Sequence, residues 1–150
     1  MNLWPFHFRK WEKRGVPITP AQLRQELLSL GVEKVYLRDS KYRAISHKDF
    51  MELVEKYRLS DGSYKVNIRD CDKYAIFFQA DVLRGWADCS NGEESLSFGY
   101  IEGGIIDGTG KPGGHGYIWQ RDDKGKIWFL HGQTATPMDW EITSLTMATG

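Results

Sequence analysis

The chain has 150 residues, enough for one domain with a single core, and its 41% hydrophobic and 13% aromatic content excludes a disordered polymer. Lysine plus arginine and aspartate plus glutamate both number 20, so no dominant basic footprint for nucleic acid exists. Two cysteines make no disulfide framework, and no segment has the length or apolarity of a membrane span or signal peptide.

Residues 1–18 read as an N-terminal arm, aromatic and basic, broken by Pro5 and Pro17, with a local basic run from Arg9 to Arg14. A single domain then occupies 19–150. Thr19, Pro20 and Gln22 make a good helix start, with a capping hydroxyl, a proline at the first helical position and a capping-box amide. Leu23, Leu27, Leu28 and Leu30 supply an apolar face before Gly31 ends the helix. Lys34 to Arg38 reads as a short strand. Ser46 opens a second helix with Phe50, Leu53, Val54 and Tyr57 at helical spacing, and Asp61-Gly62-Ser63 is a turn.

A linker from Tyr64 to Asp70 leads to a third helix, opened by Cys71. Tyr74, Ala75, Phe78 and Val82 form its buried stripe and Gly85 is its expected stop. The second half changes character. Ser95 to Ile106 alternates as a strand, Asp107 to Gly114 is loop, and Gly116–Arg121 and Lys126–Leu130 are strands joined by an Asp122–Gly125 hairpin turn. Helices first and an antiparallel sheet afterwards give an α+β class.

The chemistry-bearing pair is Cys71, at a helix start, and His115, in Gly114-His115-Gly116 at the opening of a strand. A helix N-terminus supports a thiolate through its unpaired N–H groups, and a neighbouring imidazole can take the proton and return it. Pairing Cys71 with Cys89 would consume this nucleophile, so free thiols in a reducing cytoplasm are expected. A phosphate loop at Gly108–Gly114 is rejected because a strand, not a helix, follows. His7, His47, His115 and His131 lack a regular ligand spacing, so no metal centre and no cofactor are expected. Asp70 and Asp72 could hold a divalent cation, although acids at a helix start are common without one.

Three stretches together resemble the papain-like C-terminal domains of fungal agglutinins and their bacterial and phage relatives. That pattern has Tyr-x-x-x-x-x-Asp-Cys-Asp-Asp-Phe-Ala, then Gly-His-Ala before an apolar strand, then a strand ending in Glu-Pro-Gln. Here stand Tyr64 through Asp70-Cys71-Asp72-Lys73-Tyr74-Ala75, then Gly114-His115-Gly116-Tyr117-Ile118-Trp119, then Trp128-Phe129-Leu130-His131-Gly132-Gln133. The segment Ser46–Ser60 is similar as well, and the likeness covers roughly residues 34–136.

The resemblance implies a papain-like fold and a thiol site, with Cys71 as nucleophile and His115 as base. The family's glutamate is replaced by His131 and its proline by Gly132, while Gln133 is kept. Either Gln133 orients His115 through its side-chain oxygen, or His131 leaves the site crippled. Loss of an orienting partner costs about four orders of magnitude in rate. The Cys71 backbone N–H and the Asn67 amide are the candidate oxyanion donors. The expected function is a cysteine-dependent hydrolase acting on a peptide or protein amide through a thioester, with transfer to another acceptor indistinguishable from hydrolysis. The alternative is a catalytically impaired papain-like scaffold serving as a protein-interaction module.

Overall fold

The computed structural model describes residues 14–58, 71–90 and 92–150, without the side chains of Cys71 and Asp72. Most of the expected arm, its basic run up to Lys13, the 61–63 turn, the Tyr64–Asp70 linker and Asn67 lie outside the described residues. So do Asp70 and the side chain of Asp72, the acids that could hold a divalent cation.

The elements run β1 (Val16–Ile18), α1 (Pro20–Ser29), β2 (Lys34–Tyr36), β3 (Tyr42–Ala44), α2 (His47–Tyr57), α3 (Cys71–Cys89), β4 (Ser95–Leu96), β5 (Phe98–Ile106), β6 (Pro112–Arg121), β7 (Ile127–Leu130), β8 (Glu141–Ile142) and β9 (Met147–Thr149). Helix starts follow the sequence closely. Thr19 accepts from the Gln22 N–H with Pro20 in the first turn, and Ser46 accepts from the Asp49 N–H. The stretch Val16–Ile18, read as the end of the arm, instead pairs with β3, and Ile18 is buried.

In α1 only Leu23 and Leu27 are buried, while Leu28 and Leu30 face solvent. Helix α3 does not stop at Gly85 but runs to Cys89. A Cβ on Gly85 would fall 2.2 Å from the Tyr57 ring, so the glycine lets α2 and α3 approach closely. Packing outweighs the roughly 1 kcal/mol that a helical glycine costs.

Among the described residues the strands form two sheets. The smaller is β1-β3-β4; the larger is β2-β9-β5-β6-β7, with β8 on β5. Most pairs are antiparallel, but β2 with β9 and β3 with β4 are parallel, so the expected antiparallel sheet is mixed. The run expected as one strand from Ser95 divides at Ser97, whose N–H bonds to Arg43 in the small sheet and whose carbonyl accepts from Arg121 in the large one.

Strands β5 and β6 are covered on both faces, as their alternation dictates. Phe98, Tyr100 and Ile118 join α2 and α3 in one core; Ile101, Ile105, Tyr117 and Trp119 join α1 in the other. Two hairpin turns use the same five-residue device. Asp107 accepts from the Thr109 and Lys111 N–H groups, and Asp122 from those of Lys124 and Lys126. Gly110 and Gly125 take the left-handed conformation (φ 83° and 88°) that closes each turn.

Candidate functional site

Strand β6 brings His115 to the site on the same face as Tyr117, whose ring stacks 5.6 Å away. The other wall is the segment after β7. Leu130 bridges to Pro137, the His131 N–H donates to the Thr136 carbonyl at 2.8 Å, and the Ala135 N–H donates to the His131 carbonyl at 2.9 Å. This compact turn forces Ala135 to φ 58°, outside the range alanine favours. The Thr134 and Thr136 hydroxyls meet across it at 2.7 Å.

Two contacts seat the turn on the helices. Arg58, at the end of α2, donates from Nη1 to the Gln133 carbonyl at 2.9 Å. Gly132 lies against the backbone of Ala75, so closely that a Cβ would come within 2.7 Å of the Ala75 Cα. Ala75 is one turn along the helix that Cys71 opens. The fold therefore places the start of α3 beside the 131–134 turn.

Between these walls lies a cleft of about 300 Å³ lined by His115, His131, Gly132, Gln133, Thr134, Thr136, Asp139 and Trp140. The His115 and His131 rings are 5.5 Å apart, and Trp140 is 4.8 Å from the first and 4.7 Å from the second. His131 Nε2 meets Asp139 Oδ1 at 2.8 Å. That hydrogen bond holds the Asp139 carboxyl below its ordinary pKa. Three residues read from the motifs, His115, His131 and Gln133, thus share one cleft. The sequence reading missed Asp139 and Trp140, whose relation to the histidines arises only when the chain turns back after β7.

The thiol whose side chain is described, Cys89, lies elsewhere. It is buried at the end of α3, 2.9 Å from the Tyr57 hydroxyl. Burial pushes its pKa up, with the Tyr57 hydrogen bond only partly opposing, which is the reverse of thiolate activation. No group of three or more His, Cys, Asp or Glu that could hold a metal ion occurs among the described residues. No described helix is long and apolar enough to cross a membrane.

No protein-family model and no curated protein matches the chain. Solved structures do. The "PSL1a-E64 complex" superposes with a TM-score of 0.66 at 18% identity, over 89% of this chain and 51% of that one. The Polyporus squamosus lectin bound to the human-type influenza-binding epitope Neu5Aca2-6Galb1-4GlcNAc gives 0.65 at 20% identity, over 89% and 49%. The chain has the papain-like α+β fold of these fungal agglutinins and spans about half their length.

These findings correct the functional expectation. A cysteine-dependent hydrolase needs thiolate, base and orienting group to converge, and no such triad is assembled among the described residues. His131 pairs with Asp139, and Gln133 meets Arg58 through its backbone carbonyl, not through the side-chain oxygen expected to orient His115. A solved structure sharing the fold is a lectin holding a glycan, so a peptide or protein substrate gives way as well. The matched lectin is fungal, which does not support a phage or bacterial assignment.

Proposed function

We propose that the chain is a non-catalytic recognition module, a papain-like scaffold that binds its partner in the cleft between β6 and the 131–140 segment. We propose further that what it recognises is carbohydrate, free or displayed on a protein. This retains the interaction-module alternative and drops bond cleavage.

The observation that carries the reading is the lining of the cleft. A half-buried tryptophan ring stands among an amide, two hydroxyls, two imidazoles and an exposed carboxylate. A sugar ring offers a C–H face that packs on an aromatic ring and hydroxyl groups that both donate and accept. The Asp139 carboxylate accepts, the Gln133 amide does both, and Thr134 and Thr136 do both. The glycan in the Polyporus squamosus lectin supports the same class, as a property of that longer protein. A reducing cytoplasmic setting is part of the proposal and fits the free Cys89.

A glycan array followed by calorimetry on the strongest hit tests the reading. Trp140→Ala is expected to weaken binding by roughly tenfold or more, the usual scale for removing an aromatic contact at the centre of a site. Absence of any glycan binding, or full binding by Trp140→Ala, refutes it.

A further inference from the structure

Helix α3 carries two apolar stripes. Ala75, Phe78, Val82 and Trp86 fill the core with α2 and the sheet. Ile76, Ala80, Leu83 and Ala87 line up along a second face at helical spacing. There Leu83 is half-buried and the other three are exposed, Ile76 by 52%.

This second face borders a groove. One stretch, of about 480 Å³, lies between Ile76, Ala80 and Leu83 on the helix and Tyr100 and Met147 on β5 and β9, with Arg38 and Asp39 among its polar lining. A further stretch of about 210 Å³ shares Asp39 and Leu83 with the first and continues to Trp86 and Ala87. Its lining sets three carboxylates, Asp39, Glu93 and Glu94, against one lysine, Lys41. The groove thus passes from an acidic stretch near the end of α3 to an apolar stretch nearer its start. Contiguous apolar surface rimmed by polar groups marks an interaction site.

The chain enters the described fold beside the acidic stretch. Arg43 donates from Nη1 to the Arg14 carbonyl at 3.2 Å, and from Nε and Nη2 to the Glu94 carboxylate at 2.7 and 3.2 Å. Residue 14 is therefore one side chain away from Glu94, and its own Nη1 meets Asp49 at 3.3 Å. The sequence before it is ordered as the groove is. Lys13, Lys10 and Arg9, against Glu12, stand next to Arg14. Phe8, Phe6 and Trp4 come further on, at alternate positions that share one face of an extended chain. Positions 76 to 87 of α3 span about 17 Å. Residues 4–13, fully extended, reach about 33 Å.

We infer that residues 1–13 are the occupant of this groove, with the basic positions 9–13 along Asp39, Glu93 and Glu94 and the aromatic positions 4–8 over Ile76, Ala80 and Leu83. The match is one of order as well as composition, basic to acidic and aromatic to apolar, counted from one fixed point. Any other occupant has to displace a segment tethered beside the groove, which acts there at high effective concentration. The inference does not depend on what binds in the cleft at His115 and His131.

Phe6→p-benzoylphenylalanine in the full chain tests it by photo-crosslinking and peptide mass spectrometry. A link from position 6 to the 76–83 stretch of α3 or to Met147 of the same chain is expected. Ile76→Lys, a change at an exposed position outside the core, should lower the yield of that link roughly tenfold, the scale on which burying an isoleucine acts. Mixing unlabelled with isotope-labelled protein separates links within one chain from links between two. Links between chains place a second copy in the groove and overturn the inference. Links confined to the 131–140 segment, no link at all, or a yield that Ile76→Lys leaves unchanged overturn it as well.

Discussion

Gly132→Ala strikes the contact that seats the cleft on α3. An ideal Cβ at this position would lie 2.7 Å from Ala75 Cα, 2.8 Å from its N and 3.0 Å from its Cβ. Carbon contacts settle at about 3.5–4.0 Å, so one partner must retreat by roughly 0.8 Å or more. The helix resists, because Ala75, Phe78 and Val82 are fixed in the core it forms with α2 and the sheet. The turn yields instead, pulling on its own bonds between His131 and Thr136 and on the Arg58 link to Gln133. Overpacking of this kind costs roughly 1–3 kcal/mol. Urea unfolding followed by tryptophan fluorescence should show a lower midpoint with an unchanged slope, and glycan affinity should fall with it. Gly113→Ala is the control, since its Cβ would meet nothing within 4 Å and no stability loss is expected. A Gly132→Ala protein as stable as the parent, with binding intact, would refute the packing of the turn on α3.

Other expectations concern the turns. Asp122 accepts from Lys124 N, Lys126 N and Trp128 Nε1, each at 2.9 Å, and although burial raises its pKa, these bonds outweigh it and the net shift is downward. Its contribution is therefore complete above the unfolded carboxylate value near 4 and is lost as pH falls through the lower folded value. Asp122→Ala should cost roughly 2–4 kcal/mol at neutral pH. The gap to wild type should narrow below about pH 4, and a gap constant down to about pH 2 would contradict that account. Ala135→Gly should stabilise the protein by about 1 kcal/mol, because glycine relieves the left-handed backbone at φ 58°. A fall in melting temperature would show that the Ala135 methyl, which packs on the core of α2 and α3, matters more than the strain.

Local chemistry was legible wherever a nearby residue decides the outcome. The Thr19 and Ser46 caps, the Asp122 turn and the buried stripes of α2 and α3 are all set within a few positions. Outcomes decided at a distance were not. Gly85 continues its helix because Tyr57 needs the space, a fact no window around Gly85 contains. Strand β9 is a short segment that gains its identity by inserting between β2 and β5, with Val35 opposite Ala148. The same division runs through the site. His115 and Gln133 carry the family pattern, His131 stands where that pattern has glutamate, and all three were named, whereas Asp139 and Trp140 meet the histidines only through the return of the chain after β7. The fold was thus readable from motif order, whereas the function was not.

The most direct test measures binding of one array-identified glycan to the parent, Cys71→Ala and Trp140→Ala proteins, with mass spectrometry of the glycan before and after incubation. Unchanged mass, full affinity in Cys71→Ala and a loss of roughly tenfold or more in Trp140→Ala are the predicted results. A glycan or carrier protein cleaved by the parent but not by Cys71→Ala would contradict recognition without catalysis.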